Sequence, residues 1–206
     1  MPLNRHLNMF YPYRNEIVEQ NLTRALIILL KVINIELRNS LLCSIVGSDE
    51  PNRYSVDNLF EFTIENSTIA PKYSDFKRLV AISTTGEIED DSDTDSDSIP
   101  DAQIRVDNGS TAVIMIESKV RTNTLSRDQL KRHSNKLDEN LEDVLYVITW
   151  NKICTEISKL ISNYNLSKTE SFVMLEFLDF LKMYDYGTLE RLTIPSFIKL
   201  QIPMMG

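Results

Sequence analysis

Between Arg14 and Leu42 apolar residues return at intervals of three and four, at Ile17, Val18, Leu22, Ala25, Leu26, Leu29, Leu30 and Ile33. That spacing lays one apolar stripe along a helix. It predicts a single amphipathic helix with Asn15 as its N-cap and the cluster Gly47-Ser-Asp-Glu-Pro51 as its stop. Leu59-Phe-Glu-Phe-Thr-Ile64 alternates as a strand does, and Arg78-Leu-Val-Ala-Ile-Ser83 reads as a short buried strand. Further on, Ala102, Ile104 and Val106 alternate with Gln103 and Arg105. The turn signal Asp107-Asn-Gly109 joins them to Ala112-Val-Ile-Met-Ile-Glu117 as a hairpin. Leu125 to Leu141 is polar with apolar points at Leu130 and Leu137, which predicts a mostly exposed helix. Val144-Leu-Tyr-Val-Ile-Thr149 reads as a third, buried strand. Two closing helices are marked by Ile153, Ile157, Leu160 and Ile161, then by Phe172, Leu175, Phe177, Leu178 and Leu181.

Helices interleaved with strands in this order predict an α/β (α+β) architecture, a central mixed β-sheet flanked by helices. The 206 residues fit one domain, residues 1–206. The stretch from Thr84 to Ser98, dominated by Asp and Ser, cannot bury enough apolar surface to offset its chain entropy, so residues 85–98 are expected as a disordered acidic loop. Composition changes little, since 42% apolar and 25% charged residues are ordinary for a globular chain. The longest apolar run, Ala25 to Val32, is broken by Lys31 and is far shorter than the roughly 20 residues a membrane helix needs. No secretory leader is legible at the amino terminus, and a cytoplasmic setting is expected. Cys43 and Cys154 each sit in an apolar helical pattern and read as free thiols.

Charge alters the reading more. A formal charge of −8 speaks against nucleic acid as a ligand. Yet Glu87, Glu89, Asp90, Asp91, Asp93, Asp95 and Asp97, all inside the acidic loop, account for nearly all of it. A near-neutral remainder leaves room for a local basic groove.

The candidate chemistry lies on the hairpin. Asp101 follows Pro100 and opens the first strand, while Glu117-Ser-Lys119 closes the second. Side chains alternate along a strand, so Glu117 and Lys119 share a face and Ser118 points to the other. The hairpin brings Asp101 back beside them. Two carboxylates and an ammonium at one point suit phosphodiester hydrolysis. The carboxylates bind a hard divalent ion such as Mg²⁺ through oxygen, with the Ser118 backbone carbonyl as a further donor. The ion acidifies water, and Lys119 orients the attacking water and offsets charge in the transition state.

Ile99-Pro-Asp101, followed by a strand ending Ile116-Glu-Ser-Lys119, resembles the signature of the PD-(D/E)XK nuclease superfamily, with Asp101, Glu117 and Lys119 at its catalytic positions. The resemblance extends from about Glu16 to Thr149. It implies a restriction-endonuclease-like core. It also implies that an acid on the first helix, Glu19 or alternatively Glu16, completes the metal site, and that Gln129 opens the helix after the lysine strand as a catalytic residue. His133 lies four residues on, where some relatives carry Tyr. Arg121, Arg127, Lys131 and Arg132 surround this segment and read as phosphate contacts or as a solvated helix face.

The implied function is a Mg²⁺- or Mn²⁺-dependent endonuclease hydrolysing DNA in restriction, repair or antiphage defence, with RNA still open as a substrate. Cutting both strands with one site per chain implies a homodimer or a larger assembly. The alternative is a non-catalytic nucleic-acid-binding or interaction module that keeps the fold and depends on a partner complex.

Overall fold

A computed structural model describes residues 9–10, 18–48, 59–64, 74–90, 99–107, 111–120 and 124–187. The first apolar stripe, expected as one helix, is divided between α1 (Val18–Val32) and α2 (Ile35–Val46). Local side chains cause the break. Asn34 is extended and its side chain accepts the Leu37 N–H at 3.0 Å, an N-cap inside the predicted helix. Arg38 turns back to donate from Nε to the Leu30 carbonyl at 2.6 Å, satisfying the end of α1. Gly47, in the left-handed region at φ 64°, ends α2 where the sequence places the stop. The N-cap expected at Asn15 lies outside the described residues.

The strands among the described residues are β1 (Leu59–Ile64), β2 (Phe76–Ser83), β3 (Ile88–Glu89), β4 (Ala102–Asp107), β5 (Thr111–Ser118), β6 (Leu125–Ser126) and β7 (Leu145–Thr149). Five of them form a mixed sheet in the order β1-β4-β5-β2-β7. The β4–β5 hairpin is antiparallel, running from Asp107 opposite Thr111 to Ala102 opposite Ile116, and β1 extends it antiparallel to β4. On the other side β2 lies parallel to both β5 and β7. The helices after β6 are α3 (Arg127–Lys136), α4 (Leu141–Val144), α5 (Trp150–Asn163) and α6 (Lys168–Lys182).

Alternation along the strands sorts the core into two layers of contact. Val80, Ile82, Ile104, Ile114, Ile116 and Ile148 face α1, α2, α5 and α6 in one large cluster. Leu79, Ala81, Val113 and Met115 face the opposite way, toward Leu130 and Leu137 of the α3 segment and Leu141 and Val144 of α4. The result is a helix–sheet–helix sandwich, the layered α/β arrangement the sequence predicts.

Four further expectations need correction. The helix expected over Leu125–Leu141 begins only at Arg127, because Leu125–Ser126 pairs in parallel with Ile88–Glu89 as a second, two-stranded sheet. It is also less exposed than its polarity suggests, since Leu130, His133 and Ser134 are buried against the sheet. That small sheet orders the start of the acidic loop: Thr124 Oγ1 donates to Glu89 and Arg127 Nε to Asp90, while residues 91–98 lie outside the described residues. Finally, β7 is an edge strand in which only Ile148 is buried, because among the described residues β2 is its one neighbour in the sheet. Cys43 is half-buried and Cys154 buried, both as free thiols, and burial pushes the Cys154 thiol up to about 11. Among the described residues no helix is long and apolar enough to cross a membrane.

Candidate active site

The end of β5 is held by its neighbours on both sides. Past the last ladder pairs, the Lys119 N–H donates to the Ile82 carbonyl of β2 at 2.7 Å. The Lys119 carbonyl accepts from the indole Nε1 of Trp150, the first residue of α5, at 3.2 Å. Trp150 is fully buried. A central strand whose next residue is pinned at N–H and C=O presents its last side chains at fixed positions. One step beyond the final hairpin pair, Ala102 with Ile116, stand Asp101 and Glu117.

Parity then distributes the side chains. Glu117 projects to the α3 side and is only 2% exposed. Its Oε1 accepts from Gln129 Nε2 at 2.7 Å and lies 3.0 Å from Lys119 Nζ, and its Oε2 lies 3.1 Å from His133 Nε2. Gln129 and His133 are one turn apart on α3, so one helical face delivers both. The Gln129 backbone N–H is taken by the N-cap Ser126, yet its side chain is spent on Glu117 rather than on closing a capping box. Glu19, in the first turn of α1, brings Oε2 to 3.8 Å from Lys119 Nζ. Glu16 lies outside the described residues.

Asp101 is oriented from the other face. Its Oδ2 accepts both the Ser118 N–H and the Ser118 hydroxyl, each at 2.8 Å. Ser118 Oγ is itself 2.6 Å from Thr23 Oγ1 of α1, and both residues are fully buried. Ser118 thus points away from Glu117, as strand alternation predicts, but its side chain takes part in the site as the sequence does not reveal.

The electrostatics of the two carboxylates differ. Burial, and then repulsion from Glu117, raise Asp101 to about 7 against the opposing bonds from Ser118 and the charge of Lys119. Burial works against the Lys119 charge, but Glu117, Glu19 and Asp101 outweigh it and raise its pKa. A half-buried acid with an elevated pKa beside a buried carboxylate is a place where a cation is favoured, and such perturbation concentrates at functional sites. All the candidate donors are oxygens, the chemistry a hard divalent ion selects. Among the described residues, however, no three of Asp, Glu, His and Cys are arranged as a ready metal cage. Asp101 and Glu117 form a pair, with Lys119 lying against one member.

The structure therefore brings Glu19, Asp101, Glu117, Lys119 and Gln129 together, with Ser118 among them. His133, which the sequence marks only by its spacing from Gln129, is a direct partner of Glu117 at 0% exposure. Thr23 and Trp150 escape a sequence reading; the one signal for Thr23 is its place one turn after Glu19 on the same helix face. Of the basic residues read as phosphate contacts, Arg127 is engaged with Asp90 at 2.6 Å, Lys131 is exposed, and Arg121 lies outside the described residues. No protein-family model matches the chain, nor does any curated protein or solved structure.

Proposed function

We propose that this chain is a Mg²⁺- or Mn²⁺-dependent nuclease with a restriction-endonuclease-like core of the PD-(D/E)XK type, hydrolysing phosphodiester bonds of DNA. The observation that carries the reading is the convergence of Asp101, Glu117 and Lys119 at the end of a β-hairpin, with Glu19 from α1 and Gln129 from α3 beside them. Residues far apart in the chain meet around the buried Glu117, in the order the superfamily signature requires. Asp101 and Glu117 would hold the ion, with Glu19 and the Ser118 carbonyl as further donors. When bound, the ion supplies Lewis-acid activation of the phosphate and of water.

The chain's own residues have separable tasks. Gln129 and His133 hold the plane of the Glu117 carboxylate. Ser118 holds that of Asp101. Lys119, with its charge favoured by three carboxylates, would orient the attacking water and meet the negative charge of the transition state. This site suits restriction, repair or antiphage defence, in a homodimer or a larger assembly.

Cleavage of supercoiled plasmid by the unchanged protein and by Lys119→Ala tests the reading, with Mg²⁺, with Mn²⁺ and with EDTA. Metal-dependent nicking by the unchanged protein and its loss in the variant are expected. A single-stranded RNA substrate run beside the plasmid separates the two nucleic acids. One observation favours a second reading, a non-catalytic nucleic-acid-binding module of the same fold: Glu117 is already paired with Lys119 at 3.0 Å. Failure to bind Mn²⁺, together with retention of DNA, would select that reading.

A further inference from the structure

We infer that Thr23 and Ser118 are positioning residues that set the carboxylate of Asp101 for its cation, an inference that rests on the nuclease reading above. Ser118 Oγ donates to Asp101 Oδ2 at 2.8 Å, which commits its single proton. The contact of 2.6 Å to Thr23 must then have Thr23 as donor. The result is a directed chain, Thr23 hydroxyl to Ser118 hydroxyl to carboxylate, in which each bond polarises the next. Both hydroxyls are fully buried, so water does not compete for them.

A threonine inside a helix ordinarily turns its hydroxyl back to the carbonyl one turn earlier. Thr23 instead reaches out of α1 to the end of β5. Both bonds from Ser118 fall on Oδ2 of Asp101, and no hydrogen bond to Oδ1 is found among the described residues. The chain therefore decides which oxygen faces a ligand. Glu19 and Thr23, one turn apart on α1, address the consecutive residues Lys119 and Ser118. The position of a single helix is thus registered on the site through two contacts, one ionic and one neutral. The middle residue of the Glu117-Ser118-Lys119 triplet serves through its side chain as well as its backbone.

The test uses the full chain, with Mn²⁺ affinity measured by electron paramagnetic resonance without DNA and plasmid cleavage measured separately, for Thr23→Val, Thr23→Ser and Ser118→Ala. Thr23→Val and Ser118→Ala are expected to weaken Mn²⁺ binding by about tenfold and to lower kcat with KM for DNA unchanged, as loss of a ligand-orienting partner does. Thr23→Ser should restore both, because it keeps the hydroxyl. Mn²⁺ affinity and kcat within twofold of the unchanged protein for Thr23→Val and Ser118→Ala, while Lys119→Ala still abolishes cleavage, overturn the inference and leave the nuclease reading standing. If Thr23→Val does not fold, Ser118→Ala decides by the same two measurements. No Mn²⁺ binding and no cleavage by the unchanged protein overturn both.

Discussion

At the scale of single residues, the two carboxylates of the hairpin are treated unequally by their surroundings. Glu117 has Gln129, Lys119 and His133 on its two oxygens, while Asp101 accepts two hydrogen bonds from Ser118 on one oxygen and is raised to about 7 by burial and by Glu117. A raised pKa has a sign in stability. Between its ordinary 3.8 and about 7, the folded chain keeps the Asp101 proton that the unfolded chain releases. This group's contribution is therefore present at low pH and is lost as pH rises through that window. In the metal-free protein, Asp101→Asn should gain stability relative to the unchanged chain as pH goes from 4 to 8, on the order of 2 kcal/mol after allowance for partial exposure. Urea titrations at the two pH values measure it, and a constant difference between the two proteins would show the group to be unstrained. His133→Leu removes the donor from Glu117 Oε2 inside the core and should cost about 2–4 kcal/mol. If the contact is the cause, Glu117→Gln combined with His133→Leu will cost less than the sum of the two single variants.

At the scale of elements, side-chain caps decide where the chain turns. Asn34 and Arg38 divide one apolar stripe into α1 and α2, and their signal was in the sequence but was outweighed by the unbroken period of three and four. The pairing of β4 with β5 was legible, because the alternation of Ala102, Ile104 and Val106, the turn signal after them and the apolar run from Ala112 agree on a hairpin; residues 108–110 of that turn lie outside the described residues. The edge position of β7 and the two-stranded sheet of β3 and β6 were not, because a two-residue strand has no period and an edge is defined only by what fails to pair. Gly47 was read only as a stop, but it has a second constraint. A Cβ placed there would collide with the ring of Tyr146 on β7, in a backbone conformation that already disfavours side chains. Gly47→Ala should destabilise by about 2–4 kcal/mol, from left-handed strain plus overpacking. A fall in Tm of roughly 2–4 °C per kcal/mol is the check, and recovery on adding Tyr146→Ala would assign the clash.

At the scale of the molecule, the site sits where α1, the hairpin, β2, α3 and the first residue of α5 come together, so its integrity reports on the whole sandwich. A divalent ion held by the folded state and not by the unfolded one stabilises the fold by mass action. Mn²⁺ at about a hundredfold over its dissociation constant should add about 2.7 kcal/mol to unfolding, and none in an Asp101→Asn, Glu117→Gln double variant. Thermal melts with and without metal distinguish these outcomes. The amino-acid sequence by itself determined the layered α/β class, the hairpin and the shared face of Glu117 and Lys119, because these follow from periods of two and of 3.6 that act over a few residues. Only the tertiary structure decided that Gln129 and His133 grip Glu117, that Thr23 and Ser118 orient Asp101, and that Trp150 fixes the carbonyl of Lys119. Those contacts join residues as far as 95 positions apart. They depend on which buried polar group finds which partner once the layers close, a choice that no local pattern encodes.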